Sequence, residues 1–410
     1  MIIPLPPRSR NRKEIDDFSD RADFGTRFVL LVKTEMATPD STLFESPFGA
    51  PRPLQRYPLR KRELLQAWDA ADSLLLEELF QTHGADGLKN RKILILGDSF
   101  GALSTALSEF SPTTYSDSFV SHRAIEQNRG AAPTPILSSL GELAGPYDLA
   151  LLRLPKNLSF LDDLLIHISQ HLIPGGRVLA TTMVKHLSPG VFPLFEKRIG
   201  KVTTSLAKKK ARLVYATLEK VPSPVSYPTP VELPGFEKPF LHASNLFSRE
   251  KLDIGTRFLL EHFPEGDFSS ILDLGCGNGI LGITAARKYP NSEITFTDDS
   301  WMALESARVN SERFGIKDVN FIWTNAYQDG PSGAHDLVLC NPPFHQGTRI
   351  GDEIAEEMFR NAHRSLTSGG RIRVVGNTHL GYGTSLARLF GNVEKLAQNS
   401  KFTIFESRRR

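Results

Sequence analysis

Short apolar runs recur along this 410-residue chain, and between them lie stretches with apolar residues three and four apart. The runs at 92–96 (KILIL), 148–152 (DLALL), 177–181 (RVLAT), 271–274 (ILDL), 293–297 (EITFT) and 336–340 (DLVLC) predict strands. Most are continuous rather than alternating, as in strands covered on both faces. Further strands are expected to end near Asp117 and to lie at 321–323 and 371–375. Helical periodicity predicts helices over 102–110, 120–128, 158–172, 280–288, 302–313 and 354–366. Another is expected from Glu63, because Leu64, Leu65, Trp68, Ala71, Leu74 and Leu75 share one helical face. Strand and helix alternate throughout. The expected class is therefore α/β, with mostly parallel sheets and helices on both faces.

This order of elements occurs twice. Residues 93–97 (ILILG) match 271–275 (ILDLG), 148–152 match 336–340, and Gly175-Gly176 matches Gly369-Gly370, each glycine pair being expected as a turn. Three matches in the same order predict a duplicated domain. The copies differ at polar positions. Asp273, Gly277 and Asn278 stand where the first copy has Ile95, Ser99 and Phe100. Asn341-Pro342-Pro343 stands where the first has Arg153-Leu154-Pro155. The first copy keeps strand-forming residues and loses the polar and glycine ones. It is expected to be non-catalytic and kept for binding or support, or else to bind something different.

Outside the repeat, residues 1–62 are rich in Pro, Arg and Ser with poor periodicity, and residues 1–53 are expected to form a poorly ordered extension. Residues 28–32 are a short strand candidate there, and Met36 is a second candidate start. Residues 221–240 (VPSPVSYPTPVELPGFEKPF) are dense in proline. They read as a semi-rigid linker, or as an edge segment laid over one domain. The expected division is 1–53 extension, 54–220 first domain, 221–240 linker and 241–410 second domain. The apolar fraction of 40% and charged fraction of 23% are those of a soluble globular protein. No run approaches the roughly 20 apolar residues that span a bilayer. The N-terminal apolar stretch precedes its charges, unlike a secretory signal. Cys276 and Cys340 are the only cysteines, which leaves no disulfide framework and no zinc spacing and fits a reducing cytoplasm. A net charge of +3 permits an acidic partner without demanding one.

The chemistry concentrates in the second copy. The loop 273–279 (DLGCGNG) joins a strand to a helix. Residues 277–282 match the dinucleotide pattern GxGxxG, but that motif begins directly after its strand, where Gly275 stands. The spacing from the strand gives instead Gly275, Gly277 and Gly279 with Asp273 two residues earlier, the pattern of an S-adenosylmethionine loop. A carboxylate suits a ligand whose ammonium and sulfonium are cationic. Asp298, about twenty residues on at the end of the next strand, is placed for a ribose diol, with Asp299 as its rival. Asn325 is a candidate for the adenine edge. Asn341-Pro342-Pro343-Phe344 ends strand 336–340. Two prolines cannot continue a ladder and leave a rigid corner. Asn341 Oδ1 and the Pro342 carbonyl can accept the hydrogens of an amino group on a conjugated ring, and Phe344 can stack on that ring. Such a corner suits any planar amino group: guanine N2, adenine N6, cytosine N4 or a protein glutamine N5. His345 is a candidate for the substrate mouth. No step needs a metal.

Residues 336–346 (DLVLCNPPFHQ), Phe247-Ser248, Leu252-Asp253-Ile254-Gly255 and the loop 273–279 resemble the bacterial ribosomal RNA guanine-N2 methyltransferases with tandem domains, the first degenerate. Residues 65–72 (LQAWDAAD), 154–156 and 208–213 are similar to the branch acting on large-subunit RNA. The likeness covers roughly residue 54 to the end. It implies two tandem Rossmann-like class I methyltransferase domains with seven-stranded sheets, S-adenosylmethionine as cofactor, protein-free 23S RNA as substrate and a cytoplasmic enzyme, expected to be a monomer. It places catalysis at Asn341, Pro342 and Phe344, and the cofactor at the 273–279 loop and Asp298. A methyltransferase for another planar amino group, or a non-catalytic RNA-binding assembly factor, is the alternative. Lys208, Lys209, Lys210, Arg212 and the tail Arg408, Arg409 and Arg410 are candidate phosphate contacts.

Overall fold

The chain builds two seven-stranded sheets, one from each copy. The computed structural model describes residues 42–59, 63, 65–130, 135–343 and 349–410. A hairpin comes first, β1 (Leu43–Ser46) and β2 (Gly49–Pro53), then α1 (Ala70–His83). The first sheet follows with β3 (Ile93–Leu96), α2 (Ala102–Ala106), β4 (Thr113–Tyr115), α3 (Phe119–Arg129) and β5 (Ile136–Leu137). It continues with β6 (Tyr147–Arg153), α4 (Leu158–His171), β7 (Leu172–Met183), α5 (Val191–Arg198), β8 (Val202–Thr204) and β9 (Ala211–Thr217). A short pair, β10 (Thr229–Val231) and β11 (Phe240–His242), precedes α6 (Ile254–Glu261). The second sheet begins with β12 (Ser270–Leu274), α7 (Ile280–Lys288), β13 (Glu293–Asp298), α8 (Trp301–Arg313) and β14 (Val319–Trp323). It ends with β15 (His335–Cys340), α9 (Arg349–Ser365), β16 (Leu366–Asn377), α10 (Tyr382–Phe390), β17 (Glu394–Gln398) and β18 (Phe402–Arg408).

The strand orders, β5-β4-β3-β6-β7-β9-β8 and β14-β13-β12-β15-β16-β18-β17, are one permutation used twice. The first five strands of each sheet run parallel and the last two join antiparallel at an edge. The continuous apolar runs have a simple cause. Alternate residues of β3 go to opposite faces: Leu94 and Leu96 pack with Leu164 and Ile168, while Ile93 and Ile95 pack with Leu75, Leu76 and Leu79. A strand sandwiched in this way has no solvent face to carry polar residues.

Several expectations change. The helix expected from Glu63 starts at Ala70, because Asp69 and Asp72 form a capping box there. Leu65 is left exposed, and Leu64 lies outside the described residues. The glycine pairs are not turns between elements but lie inside β7 and β16, where Gly175 (φ 75) and Gly369 (φ 80) accompany a shift in register. Residues 43–53, expected within the extension, form the β1–β2 hairpin, whose Phe44 is 2% exposed and packs on Trp68 at 5.0 Å. The strand candidate at 28–32 and Met36 lie outside the described residues. The proline-rich stretch is laid against both halves. Ser223 exchanges hydrogen bonds with Ser169 and Gln170 of α4, and Leu233 and Phe240 are buried in the second core.

The halves meet through the turns after β4 and β13. Trp301 N donates to Asp117 O (2.8 Å) and Met302 N to Asp117 Oδ1 (2.7 Å). In return Phe119 N donates to Asp299 O (2.8 Å) and Val120 N to Asp299 Oδ1 (2.9 Å). Each half thus satisfies the leading amides of the other half's helix, groups that no helix can satisfy internally.

Candidate active site

The first strand of the second sheet, β12, pairs in parallel with both β13 and β15. Strand order reverses between β12 and β15, so their carboxyl ends open a crevice. Leu274 is opposite Cys340, which puts the glycine loop and the proline corner side by side at one rim. Both line a cavity of about 420 Å³.

The loop is shaped by its glycines. Gly277 takes φ 55 with nothing within 4 Å of where a Cβ would stand, which leaves its backbone open to a ligand. A Cβ on Gly279 would lie 2.9 Å from Ala307, so this glycine serves the packing of α7 on α8. Gly275 lines the cavity and Gly279 does not. Asp273 also departs from its expected place. It is fully buried behind the loop, where Oδ2 accepts from Gly282 N at 2.8 Å. Burial pushes its carboxyl up to about 8, and its bond to Gly282 holds α7 in place without facing the cavity.

The two acidic candidates both line the cavity and differ in their partners. Asp298 lies on the cavity wall, accepting from Gly277 N (3.0 Å) and Ser300 N (2.9 Å). Burial raises its carboxyl to about 6 against the pull of those amides. Asp299 also touches the cavity, and its Oδ1 accepts from Val120 N of the other half. Asn325 also lines the cavity, with Nδ2 donating to Gln328 and Glu357. The next two residues, Ala326 and Tyr327, hold φ of 47° and 61°, values that side chains disfavour, so the turn beside Asn325 is strained.

At the corner, Asn341 Nδ2 donates to Thr256 Oγ1 (2.9 Å) and Asp253 Oδ2 (3.2 Å). A carboxylate can only accept, so these bonds set which way the amide faces. Asn341 Oδ1 is left buried without a partner among the described residues. Asp253 caps α6 through Thr256 N, and the rigid first turn of that helix holds the amide. The holding role of this pair is not visible in the run of residues, because Asp253 is 88 positions away from Asn341. Phe247, 72% exposed at the cavity mouth, is a further aromatic there. Phe344 and His345 lie outside the described residues.

The first half keeps the frame and fills the site. Arg153 occupies the position equivalent to Asn341, one residue beyond Leu152, which is opposite Leu96. It pairs with Asp69 at 3.0 Å and Asp72 at 3.4 Å, on the capping turn of α1. The remaining space, about 170 Å³, is partly covered by Arg56 lying 4.7 Å over Phe100.

The basic candidates divide. Arg409 is used internally, donating to the carbonyls of Arg364 and Leu366. Lys208 pairs with Glu77 at 2.5 Å. Arg408 lies 3.8 Å from Glu406, Arg212 is half-buried, and Arg410 is exposed. Lys209 and Lys210 are exposed at the tip of a two-residue hairpin loop closed by Lys208 and Ala211, with φ of 48° and 64°. Among the described residues no three His, Cys, Asp or Glu side chains gather as a metal site, and no helix is long and apolar enough to cross a membrane.

Comparison with known proteins adds to this geometry. Residues 42–220 match the RLMG N-terminal domain and residues 237–406 the methyltransferase small domain. The chain is 43% identical over 363 residues to the ribosomal RNA large subunit methyltransferase G of Stutzerimonas stutzeri (strain A1501), covering 86% of this chain and 96% of that one. It is 42% identical over 375 residues to the protein of the same name from Ectopseudomonas mendocina (strain ymp), covering 89% and 99%. Among solved structures, the T. thermophilus 16S rRNA N2-guanine methyltransferase RsmC, in complex with AdoMet and guanosine, superposes with a TM-score of 0.72. That match has 22% identity and covers 90% of this chain and 98% of that one, a likeness of fold.

Proposed function

We propose that this chain, which belongs to the ribosomal RNA large subunit methyltransferase G family, transfers the methyl group of S-adenosylmethionine to the exocyclic N2 of a guanine in 23S ribosomal RNA. In this reading the substrate is protein-free RNA and the enzyme a cytoplasmic monomer. The observation that carries the substrate chemistry is Asn341 Oδ1: a buried acceptor without a partner, held at the rim beside the glycine loop.

The residues fit the cofactor. Gly277 leaves backbone open to it, Gly275 lines the same cavity, Asp298 can accept from a ribose diol, and Asn325 is assigned the adenine edge. When bound there, S-adenosylmethionine supplies an electrophilic methyl group. The protein's part is played on the substrate. A ring amino group is a poor nucleophile because its lone pair is delocalised. Asn341 Oδ1 and the Pro342 carbonyl accept its two hydrogens and make nitrogen more tetrahedral, which frees that pair. Phe344 is assigned stacking on the guanine. The proton then leaves to water, since an amide is a poor base. A base inside a helix cannot reach this corner, so the guanine must be single-stranded or turned out of its stack. Lys209 and Lys210 are proposed contacts to RNA phosphates.

Labelled-methyl transfer tests the reading. Protein-free 23S RNA should be methylated at guanine N2, while adenine-rich DNA and protein extract should not. Label in DNA or protein instead would refute the assignment.

A further inference from the structure

We infer that Asp117, a residue of the non-catalytic half, is a positioning residue for the cofactor cavity of the other half; this rests on the methyltransferase reading above. Asp117 is 6% exposed and forms no salt bridge among the described residues. Burying a carboxylate without a cation is costly, and apolar residues would join two domains at lower cost. What the carboxylate holds is specific. Oδ2 accepts from Asn245 Nδ2 at 2.8 Å and from Ser300 Oγ at 2.6 Å, and Oδ1 accepts from Met302 N at 2.7 Å. All three donors belong to the catalytic half.

Two of the three, Asn245 and Ser300, line the 420 Å³ cavity. Ser300 in turn donates its backbone N–H to Asp298 Oδ1, the proposed ribose acceptor. Asn245 opens the stretch that follows the cavity wall to Asp253. One carboxylate from the first half therefore ties together two walls of the cavity that are far apart in sequence. The first half thereby contributes to cofactor binding as well as to any contact with RNA.

The experiment uses the full-length chain with Asp117→Asn, which keeps size and removes charge. S-adenosylmethionine affinity is read by titration calorimetry and the kinetic constants with 23S RNA. The expected result is a rise of about tenfold in the cofactor Kd and KM, the order lost with a hydrogen-bonded charge. The kcat at saturating cofactor and the KM for RNA should stay within about twofold. Ser159→Ala, which cuts the Arg249–Ser159 bond between the halves, neither partner lining the cavity, should leave cofactor affinity unchanged. The losses from Asp117→Asn and Asn245→Ala should not add. Unchanged cofactor affinity in Asp117→Asn, an equal loss in Ser159→Ala, or equal damage to kcat and RNA KM would overturn the inference. Should Asp117→Asn fail to fold, Asn245→Ala alone decides: wild-type cofactor affinity in that variant overturns it. A wild-type chain that binds no S-adenosylmethionine would instead sink the methyltransferase reading.

Discussion

Replacing Asn341 by alanine should separate catalysis from stability. Its Oδ1 is already desolvated and has no partner among the described residues. A buried acceptor left unsatisfied costs about 1–3 kcal/mol, and the substrate amino group removes that cost by bonding to it. Loss of one preorganised polar contact of this kind in other enzymes costs about 2.7–4 kcal/mol of transition-state stabilisation, or roughly 10²–10³ in kcat. Asn341→Ala should fall in that range. Stability moves less. The variant loses the bonds from Nδ2 to Thr256 and Asp253, together about 2.5–4 kcal/mol, and is relieved of the unsatisfied Oδ1 at about 1–3 kcal/mol. The net change should be about 1–2 kcal/mol. Single-turnover methyl transfer to 23S RNA, cofactor calorimetry and thermal unfolding read the three quantities. Thr256→Val, which keeps shape and removes one bond to the amide, should cost only a few-fold in the wild type and nothing further in the Asn341→Ala background. Cofactor affinity that falls as far as kcat, or destabilisation beyond about 4 kcal/mol, would show that Asn341 holds the fold together and refute the reasoning.

Other outcomes follow from the same geometry. Asp298, raised to about 6, takes up its proton as pH drops through that value, so S-adenosylmethionine affinity should weaken between pH 7 and 5, and Asp298→Asn should flatten that profile. Without ligand the sign is opposite. The carboxyl binds its proton more tightly folded than unfolded (3.8), so stability should fall as pH rises from about 4 to 6, seen as a lower unfolding temperature. Lys209→Asn with Lys210→Gly places residues that favour positive φ in the hairpin loop, and should stabilise by about 1–2 kcal/mol in denaturant titration. The same double variant should weaken RNA binding and lower its salt dependence by about 1.5 in log–log slope; unchanged binding would remove these lysines from the RNA surface. Phe44→Ala should cost about 3 kcal/mol in chemical unfolding, and a cost below about 0.5 would mean the hairpin is not part of the first core.

The parallel strands were legible because burial on both faces leaves continuous apolar runs such as ILIL and DLVLC. The edge strands β8 and β17 carried no such mark, being short and largely exposed. Their antiparallel neighbours β9 and β18 were missed with them. At the site, the order of loop and corner was readable, since both directly follow strands whose pairing brings them together. Orientation was not. Asp298 and Asp299 are adjacent in sequence, and their different partners, Gly277 and Ser300 for one and Val120 for the other, are set by the fold. Asp273 looked like a ligand group from its place beside the loop, whereas the fold buries it fully and leaves it off the cavity wall. The bonds that turn Asn341 come from a helix cap far along the chain, and a single sequence holds no trace of such a pairing.

Arg153 is expected to set the stoichiometry of the whole molecule. Its guanidinium keeps a positive charge at any working pH and holds the carboxylates of Asp69 and Asp72 with it. Where one repeat offers a neutral amide with a free acceptor at its strand end, the other offers an ion pair that is already complete. Each polypeptide should therefore titrate as a single-site binder, with a hyperbolic isotherm and one equivalent at saturation.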